Sequence, residues 1–465
     1  MSALTLFITR STRIILGSLL SWALPINAST LPALHLTIHG SNTLGAKLIP
    51  HCAKAYLESK NIPSVRIDIT GENKFRIQGE SPNALIWVAA HGSSTGYRSL
   101  DAGVADIGMS SRPIKEKEVS LLERFGYMRS TASEHTVAID GLAILVNKTN
   151  NIGSLTTTQI AQIFSGEINN WQQLGGVNAA ISLHARDNNS GTWDTFKSLI
   201  LKKTYQLDDS AKRYESNDEL SDTVARDPYA IGFSGIASIR NAKALAVSDE
   251  GTQAIAPSHL SVATEDYPLT RRLYLYTPER NVTDDIREFV SFCQSEKGQE
   301  VVAQVGYISQ NIQAVKQEDF VNAPQAYREL MYNGDRLSVN FRFNRGSSRL
   351  DNKALMDVSR LQNFMAKPEN QHKKLVLVGF NDEVKSQTGK RSDVLSKLRA
   401  TAVRSALFKS GIPVNKTLGL GTVMPLAAVG QKISNTKNGR VEVWLLPDSV
   451  AGEPVEKSAS MAYQE

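Results

Sequence analysis

Leu34–Ser59 reads LHLTIHGSNTLGAKLIPHCAKAYLES. LHLTIHG alternates apolar and polar side chains, which predicts a strand ending at Gly40. From Leu44 the period changes. Leu44, Leu48, Ile49, Cys52 and Tyr56 fall at helical spacing, which predicts a helix running to Ser59. Between the two lies Gly40-Ser41-Asn42-Thr43, a short run of small, hydrogen-bonding residues where the helix must start. Strand, polar turn and helix together open an α/β unit.

The same grammar continues outward. VRIDIT (65–70) predicts a strand, and Phe75–Ile77 with Leu85–Ala90 a hairpin across Glu80–Asn83. HTVAIDGLAILVN (135–147) is a long apolar, β-branched run. A second group follows: helix Thr156–Phe164, strand Ala180–Ala185, helix Thr192–Leu201, the strand-like YAIGFSGI (229–236) and RRLYLYT (271–277), and a helix Asp284–Val305. Alternating units of this kind make sheets covered by helices, here an α/β fold in two lobes, the second over about 140–265.

Over 316–336 periodicity fades and polar residues accumulate, so a linker or short helical connector is expected there. A compact third unit spans 337–447. Its elements are strand LSVNFRF, helix Asn352–Met365, strand KLVLVGF, helix Ser392–Lys409, strand Lys416–Leu420 and the closing strand RVEVWLL (440–446). Residues 448–465 read as a disordered tail. At the other end, Arg10 and Arg13 precede the apolar run IILGSLLSWAL, so Met1–Ala28 reads as a secretory signal. Export implies an oxidising compartment, in which Cys52 and Cys293 would pair or remain two buried thiols.

The chain has 465 residues, 41% of them hydrophobic and 21% charged, an ordinary globular balance. Two cysteines exclude a disulfide-dense scaffold. The net charge of +6 suggests nucleic acid until it is located. Residues 335–450 carry 20 Lys and Arg against 9 Asp and Glu, whereas 29–334 are mildly acidic. The basic excess therefore sits in the third unit, and no nucleic-acid partner is expected.

Four loops share one design. Ser41, Asn42, Thr43 and Leu44 open the first helix. Ser93 and Ser94 lie in GSSTG (92–96) before the helical stretch Tyr97–Ala102. Ser111 and Arg112 belong to SSRP. Arg186, Ser190, Gly191 and Thr192 lie in RDNNSGT, which opens another helix. A helix N-terminus offers unpaired N–H groups and partial positive charge, and small residues admit an oxyanion close to the backbone. Arg186 adds a planar charged fork suited to a tetrahedral oxyanion. Each loop alone reads as ordinary capping, but four in one exported chain point to an anion cradle. GSSTG lacks the Gly-Lys-Ser/Thr ending of a nucleotide loop, and no zinc signature or nucleophile with a matched base is evident. His91 and His135 stand alone and read as structural. A binding protein without cofactor or metal is expected rather than an enzyme.

HGSNTLGAKLIP, AHGSSTG, ADIGMSSRPI, DGLAILVN, IFSGEINNW, ARDNNSGTWDTF and AIGFSG, in this order, resemble the PstS-type phosphate-binding proteins over about Leu34–Val315. The resemblance implies a type II periplasmic binding-protein fold over 29–315, with dehydrated phosphate between the lobes. It implies contacts from Thr43 and Leu44, Ser93, Ser111, and Arg186, Ser190, Gly191 and Thr192, a periplasmic location, and an ABC-type permease as a further partner. Ser111 stands where some members carry Asp, and Asn188 where some carry an acid, so selectivity for phosphate over sulfate stays open.

The third unit resembles the OmpA-like domain, a small α+β fold that binds peptidoglycan. VNFRF, Gly379-Phe380-Asn381-Asp382, VLSKLRATAVRSAL and Asn438-Gly439-Arg440-Val441-Glu442 carry the likeness. It implies that Asp382 and Arg399 grip the diaminopimelate of the peptide stem and that Asn438 and Arg440 belong to the terminal motif. Phe380, Asn381 and Gly439 depart from the family's His, Thr and Arg. A phosphate binder held at the wall is the expectation; a secreted or surface scavenger, sensor or adhesin, or a sulfate binder, is the alternative.

Overall fold

The structure is a computed structural model that describes residues 34–448 apart from 81–83, 189, 281, 318–322, 345–346, 383–391 and 428–436. The expected signal and the tail beyond 448 lie outside the described residues.

The run at 135–147 forms the axis of the molecule. Glu134–Val146 is a single strand of 13 residues. Its first half pairs antiparallel with Thr270–Tyr276, from Glu134↔Tyr276 to Gly141↔Thr270. Its second half pairs with Ala230–Gly235, from Leu142↔Gly235 to Val146↔Ile231. One strand therefore serves two lobes, which is why it reads as an unbroken apolar run rather than an alternating one. Gly141 marks the changeover. A Cβ there would come within about 3 Å of Val262 and Ile236 side-chain atoms.

The first lobe continues outward from Thr270–Tyr276 through Ile107–Ser110, Leu34–Gly40, Ala84–Ala90, Lys74–Gln78 and Arg66–Gly71. The second continues through Ser182–Arg186 to Lys212–Tyr214. Each lobe has its own core. Ile38, Ile86, Met109, Leu273 and Phe289 represent the first, and Ile144, Phe164, Phe196 and Phe233 the second. Cys52 and Cys293 are free, buried thiols in hydrogen-bonding contact in the first core, and burial pushes the Cys293 thiol up. The helix expected over Asp284–Val305 is two, Asp284–Gln294 and Glu296–Gln304. Ser295 caps the second, and Gly298 lies so close to Phe292 O that a Cβ would stand 2.0 Å from it.

The third domain is a five-stranded sheet. Its order is Ala314–Val315, Asp335–Arg342, Arg440–Leu446, Lys374–Gly379 and Val414–Gly419. Val339, Phe341, Val443 and Leu445 pack with the residues Val358 and Leu361 of helix Asn352–Ala366 and Val403 and Leu407 of helix Ser392–Lys409. The segment expected to be a linker or short helical connector carries a nine-residue helix that joins the domain's packing. Gln325–Asn333 buries Tyr327, Leu330 and Met331 against Val376, Phe380 and Trp444 on the opposite face.

This domain is fastened to the hinge by buried charge. The Asp266 carboxylate accepts from Arg336 Nη2 at 2.8 Å, Arg342 Nη2 at 2.6 Å and Asn340 Nδ2 at 2.8 Å. Burial pushes its pKa up, but Arg336, Arg342 and Arg440 outweigh that and hold it below the usual value. Arg336 also faces Glu442 at 3.4 Å, which Arg440 Nε and Tyr327 OH reach at 3.0 and 2.8 Å. Next to the changeover, Arg272 pairs with Asp351 at 2.6 Å, and Asn352 Nδ2 donates to Arg129 O at 3.0 Å. The domain thus contacts the hinge and both lobes. A cavity of about 200 Å³ remains in the seam, lined in part by Glu134, His135, Asn352, Lys353 and Arg360.

Breaking a buried pair from one side leaves uncompensated charge, which costs about 3–5 kcal/mol. Asp266→Ala is expected to lose stability of that order in urea unfolding, because Arg336 and Arg342 stay buried; an unchanged midpoint would contradict the assigned role. His135 supplies a pH signature. Burial lowers its pKa from 6.5 to about 4. Its neutral form favours the folded chain, so the contribution is complete above pH 6.5 and falls away as pH drops toward 4. The slope is up to about 1.4 kcal/mol per pH unit. Denaturation across this window should show the decline in the native chain and a flatter profile in His135→Gln.

Candidate functional site

The four loops come together where the lobes face each other. Gly40 ends its strand at φ 143° with Met109 O so close that a Cβ would lie 2.1 Å away. Ser41 N then donates to Met109 O at 3.0 Å, and the helix begins within two residues. Ser41 and Thr43 are buried, as is Leu44. The second loop turns at Gly92, φ 98°, and its helix starts at Ser93, earlier than the expected Tyr97. No side chain caps that helix, so its N-terminus keeps backbone donors. Ser93 Oγ accepts from Ser111 N at 3.1 Å and lies 3.4 Å from Ser111 Oγ, which joins the second and third loops.

In the second lobe Ser190 Oγ caps helix Gly191–Phe196, accepting from Thr192 N and Trp193 N at 3.2 and 3.4 Å. Arg186 is buried beneath it. Its Nε donates to Tyr214 O at 3.1 Å, and its two terminal nitrogens engage Asn217 Oδ1 and Glu215 O. Burial lowers its pKa while Asp187 and Glu215 oppose that. Gly191 meets Thr43 of the other lobe so closely that a Cβ would stand 2.1 Å from Thr43 Oγ1. Only glycine allows that approach.

Two expected residues have other partners. The Arg112 guanidinium forks onto Glu118 at 2.6 and 2.8 Å, donates to Ser94 Oγ at 3.2 Å and lies over Tyr97. It is an internal strut of the first lobe. Gly92–Gly96 also spells the Gly-x-Ser-x-Gly pattern of a nucleophile elbow, but Ser94 faces Arg112, and among the described residues no histidine is bonded to it.

Sequence reading missed Arg271, Asp140 and Tyr307. Arg271 Nη2 donates to Thr43 Oγ1 and to Gly191 O, both at 2.7 Å, and its Nε to Asp140 Oδ2 at 3.1 Å. Tyr307 OH donates to Thr43 O at 2.5 Å. Burial pushes Asp140 up while Arg271 opposes it. The available signal for the first two was charge inside two otherwise apolar strands: the lone Asp140 in VAIDGLAIL and the Arg271-Arg272 pair in TRRLYLY.

At the far end of the third sheet, Asp382, Arg399, Asn438 and Arg440 gather, all buried. Asn438 Nδ2 donates to Asp382 Oδ1 at 3.2 Å. Arg399 donates to Asn381 Oδ1 at 2.9 Å and to Ser347 O and Asn344 O. Arg440 stacks 3.8 Å above the Phe380 ring. Two of the three departures from the family pattern, Phe380 and Asn381, therefore pack against its arginines.

A PBP superfamily domain matches residues 70–297 and an OmpA family domain residues 342–439. The phosphate-binding protein PstS of Bacillus subtilis is 32% identical over 230 residues, 49% of this chain and 72% of that protein. The chain belongs to the PstS family. The Pseudomonas aeruginosa PstS is 30% identical over 283 residues, 56% of this chain and 86% of that one. The crystal structure of an ABC-type phosphate transport receptor from Vibrio cholerae is 28% identical, covers 59% of this chain and 99% of that chain, and has a TM-score of 0.47. Family membership and the C-terminal OmpA domain agree with the resemblances read from the motifs. The PstS relatives are binding proteins by name rather than enzymes. Among the described residues no cluster of metal-ligating side chains forms, and no helix is long and apolar enough to cross a membrane.

Proposed function

We propose that this PstS-family chain is an exported binding protein that captures inorganic phosphate between its lobes and is held at peptidoglycan by its C-terminal domain. The observation that carries the first half is the meeting of Thr43 and Gly191, which brings two helix N-termini from opposite lobes face to face. Each presents backbone N–H groups and the positive end of a dipole. Ser93 and Ser111 close the rim with hydroxyl donors. Arg186 supplies the full charge. Exchanging the neutral acceptors Tyr214 O, Glu215 O and Asn217 Oδ1 for an anionic phosphate oxygen turns bonds with one charged partner into bonds with two.

Ser111 both donates and accepts. A hydroxyl at that position suits sulfate as well as protonated phosphate, so a site that takes either anion is the second reading, favoured by this residue alone. For the wall, diaminopimelate offers an amine to Asp382 and a carboxylate to Arg399. Asp382 and Arg399 are only 3% and 1% exposed, so entry requires Ser347 and Asn344 to part from Arg399. An exported protein bearing these two sites works in the periplasm.

Calorimetric titration of the exported chain with phosphate and with sulfate tests the cleft. Phosphate binding is expected, and Arg186→Ala should weaken it roughly 100-fold or more, since hydrogen bonds to charged groups contribute about 1.5–3 kcal/mol each. Equal sulfate affinity would establish Ser111 as non-discriminating; no heat with either anion would end the phosphate reading. For the C-terminal domain, sedimentation with diaminopimelate-type peptidoglycan should retain the native chain and lose Asp382→Ala. Retention of the variant would remove Asp382 from the site.

A further inference from the structure

Arg271 touches the anion loops of both lobes directly while standing on a strand beside the axis. Its strand Thr270–Tyr276 and the strand of Asp140 pair across the axis, with Arg271 opposite Asp140 in register. The guanidinium is 10% exposed and the Asp140 side chain 14%. From this position Nη2 reaches Thr43 Oγ1 of the first lobe and Gly191 O of the second, each at 2.7 Å. Tyr307 OH holds the Thr43 carbonyl at 2.5 Å. A buried Arg–Asp pair is weak evidence for stability, because desolvation cancels much of its attraction. Its directionality is another matter: a guanidinium fixed by a carboxylate delivers its remaining donors at set angles.

We propose that Arg271, aimed by Asp140, is a positioning residue that latches the Thr43 loop to the Gly191 loop and so sets the closed separation of the cleft. The inference rests on the phosphate reading for its ligand and deepens it. Thr43 and Gly191 present helix N-termini, which repel each other as like partial charges. Arg271 overcomes that by donating to the hydroxyl oxygen of one loop and the carbonyl of the other, which leaves the Thr43 O–H and the backbone N–H groups to the anion. Asp140 balances the added cation, so the latch leaves the local charge unchanged. The latch forms as the lobes close, so it governs release rather than capture. Arg186 differs: it donates only within the second lobe.

The test uses stopped-flow binding of inorganic phosphate to the full exported chain, read by the fluorescence of Trp193, which lies in the helix that Gly191 opens. Arg271→Gln should release phosphate about 10- to 100-fold faster, the loss of one or two hydrogen bonds to a charged group, with the association rate within a factor of about three. Arg271→Lys should recover part of the residence time and Asp140→Asn lose part of it. X-ray scattering without phosphate should give Arg271→Gln a larger radius of gyration than the native chain. Unchanged release together with unchanged scattering would overturn the latch, as would a slowed association that accounts for the whole affinity loss. If the native chain binds no phosphate, the phosphate reading fails, and the scattering comparison alone decides the latch. Should Arg271→Gln not fold, the milder Arg271→Lys and Asp140→Asn carry the same rate measurement, and native release rates in both would refute it.

Discussion

The backbone of Glu134–Val146 cannot leave its N–H and C=O groups unpaired inside an apolar core, and meeting that constraint organises the molecule. The strand meets it with different partners along its length, Thr270–Tyr276 in one half and Ala230–Gly235 in the other. Two lobes therefore share one strand, and the cleft lies where the partners change. Asp140 and Gly141 stand at that point. One carries the charge that orients Arg271, and the other admits Ile236 and Val262 from the second lobe.

The third domain meets the same strands through a neighbouring residue. Side chains alternate along a strand, so Arg271 serves the cleft while Arg272 reaches Asp351 of the C-terminal domain. Behind this contact, Asp266, Arg336, Arg342, Glu442 and Arg440 form a buried chain of charges. A basic surplus such as that of residues 335–450 would suit the carboxylates of a peptide stem. Much of it is used internally: Arg336, Arg342, Lys353 and Arg360 are paired with Asp266 or Asp357, and Arg399 and Arg440 are buried. Net charge located the domain boundary but overstated the charge available to a ligand.

The architecture was legible because strand and helix periods are local, and so were the loops at their junctions. Helix starts were less so. Gly92 reaches φ 98°, which lets the helix begin at Ser93 rather than after Gly96. Residues 316–336 looked like a connector because polar residues surround Tyr327, Leu330 and Met331, whose helical spacing is short and easily lost. The Arg271–Asp140 pair was beyond local reading, since its members lie 131 positions apart and only strand register joins them. Arg112 illustrates the converse: its motif is visible in the sequence, but its partner Glu118 decides what its charge does.

A receptor joined to its anchor by a flexible cord would turn freely, its mouth facing every direction in turn. Asp266 and its two arginines remove that freedom. They make the C-terminal domain a mounting plate rather than a weight on a string, bolted beside the strands that the two lobes share. Once such a plate is seated on a fixed mesh, the opening of the cleft has a constant bearing relative to that mesh.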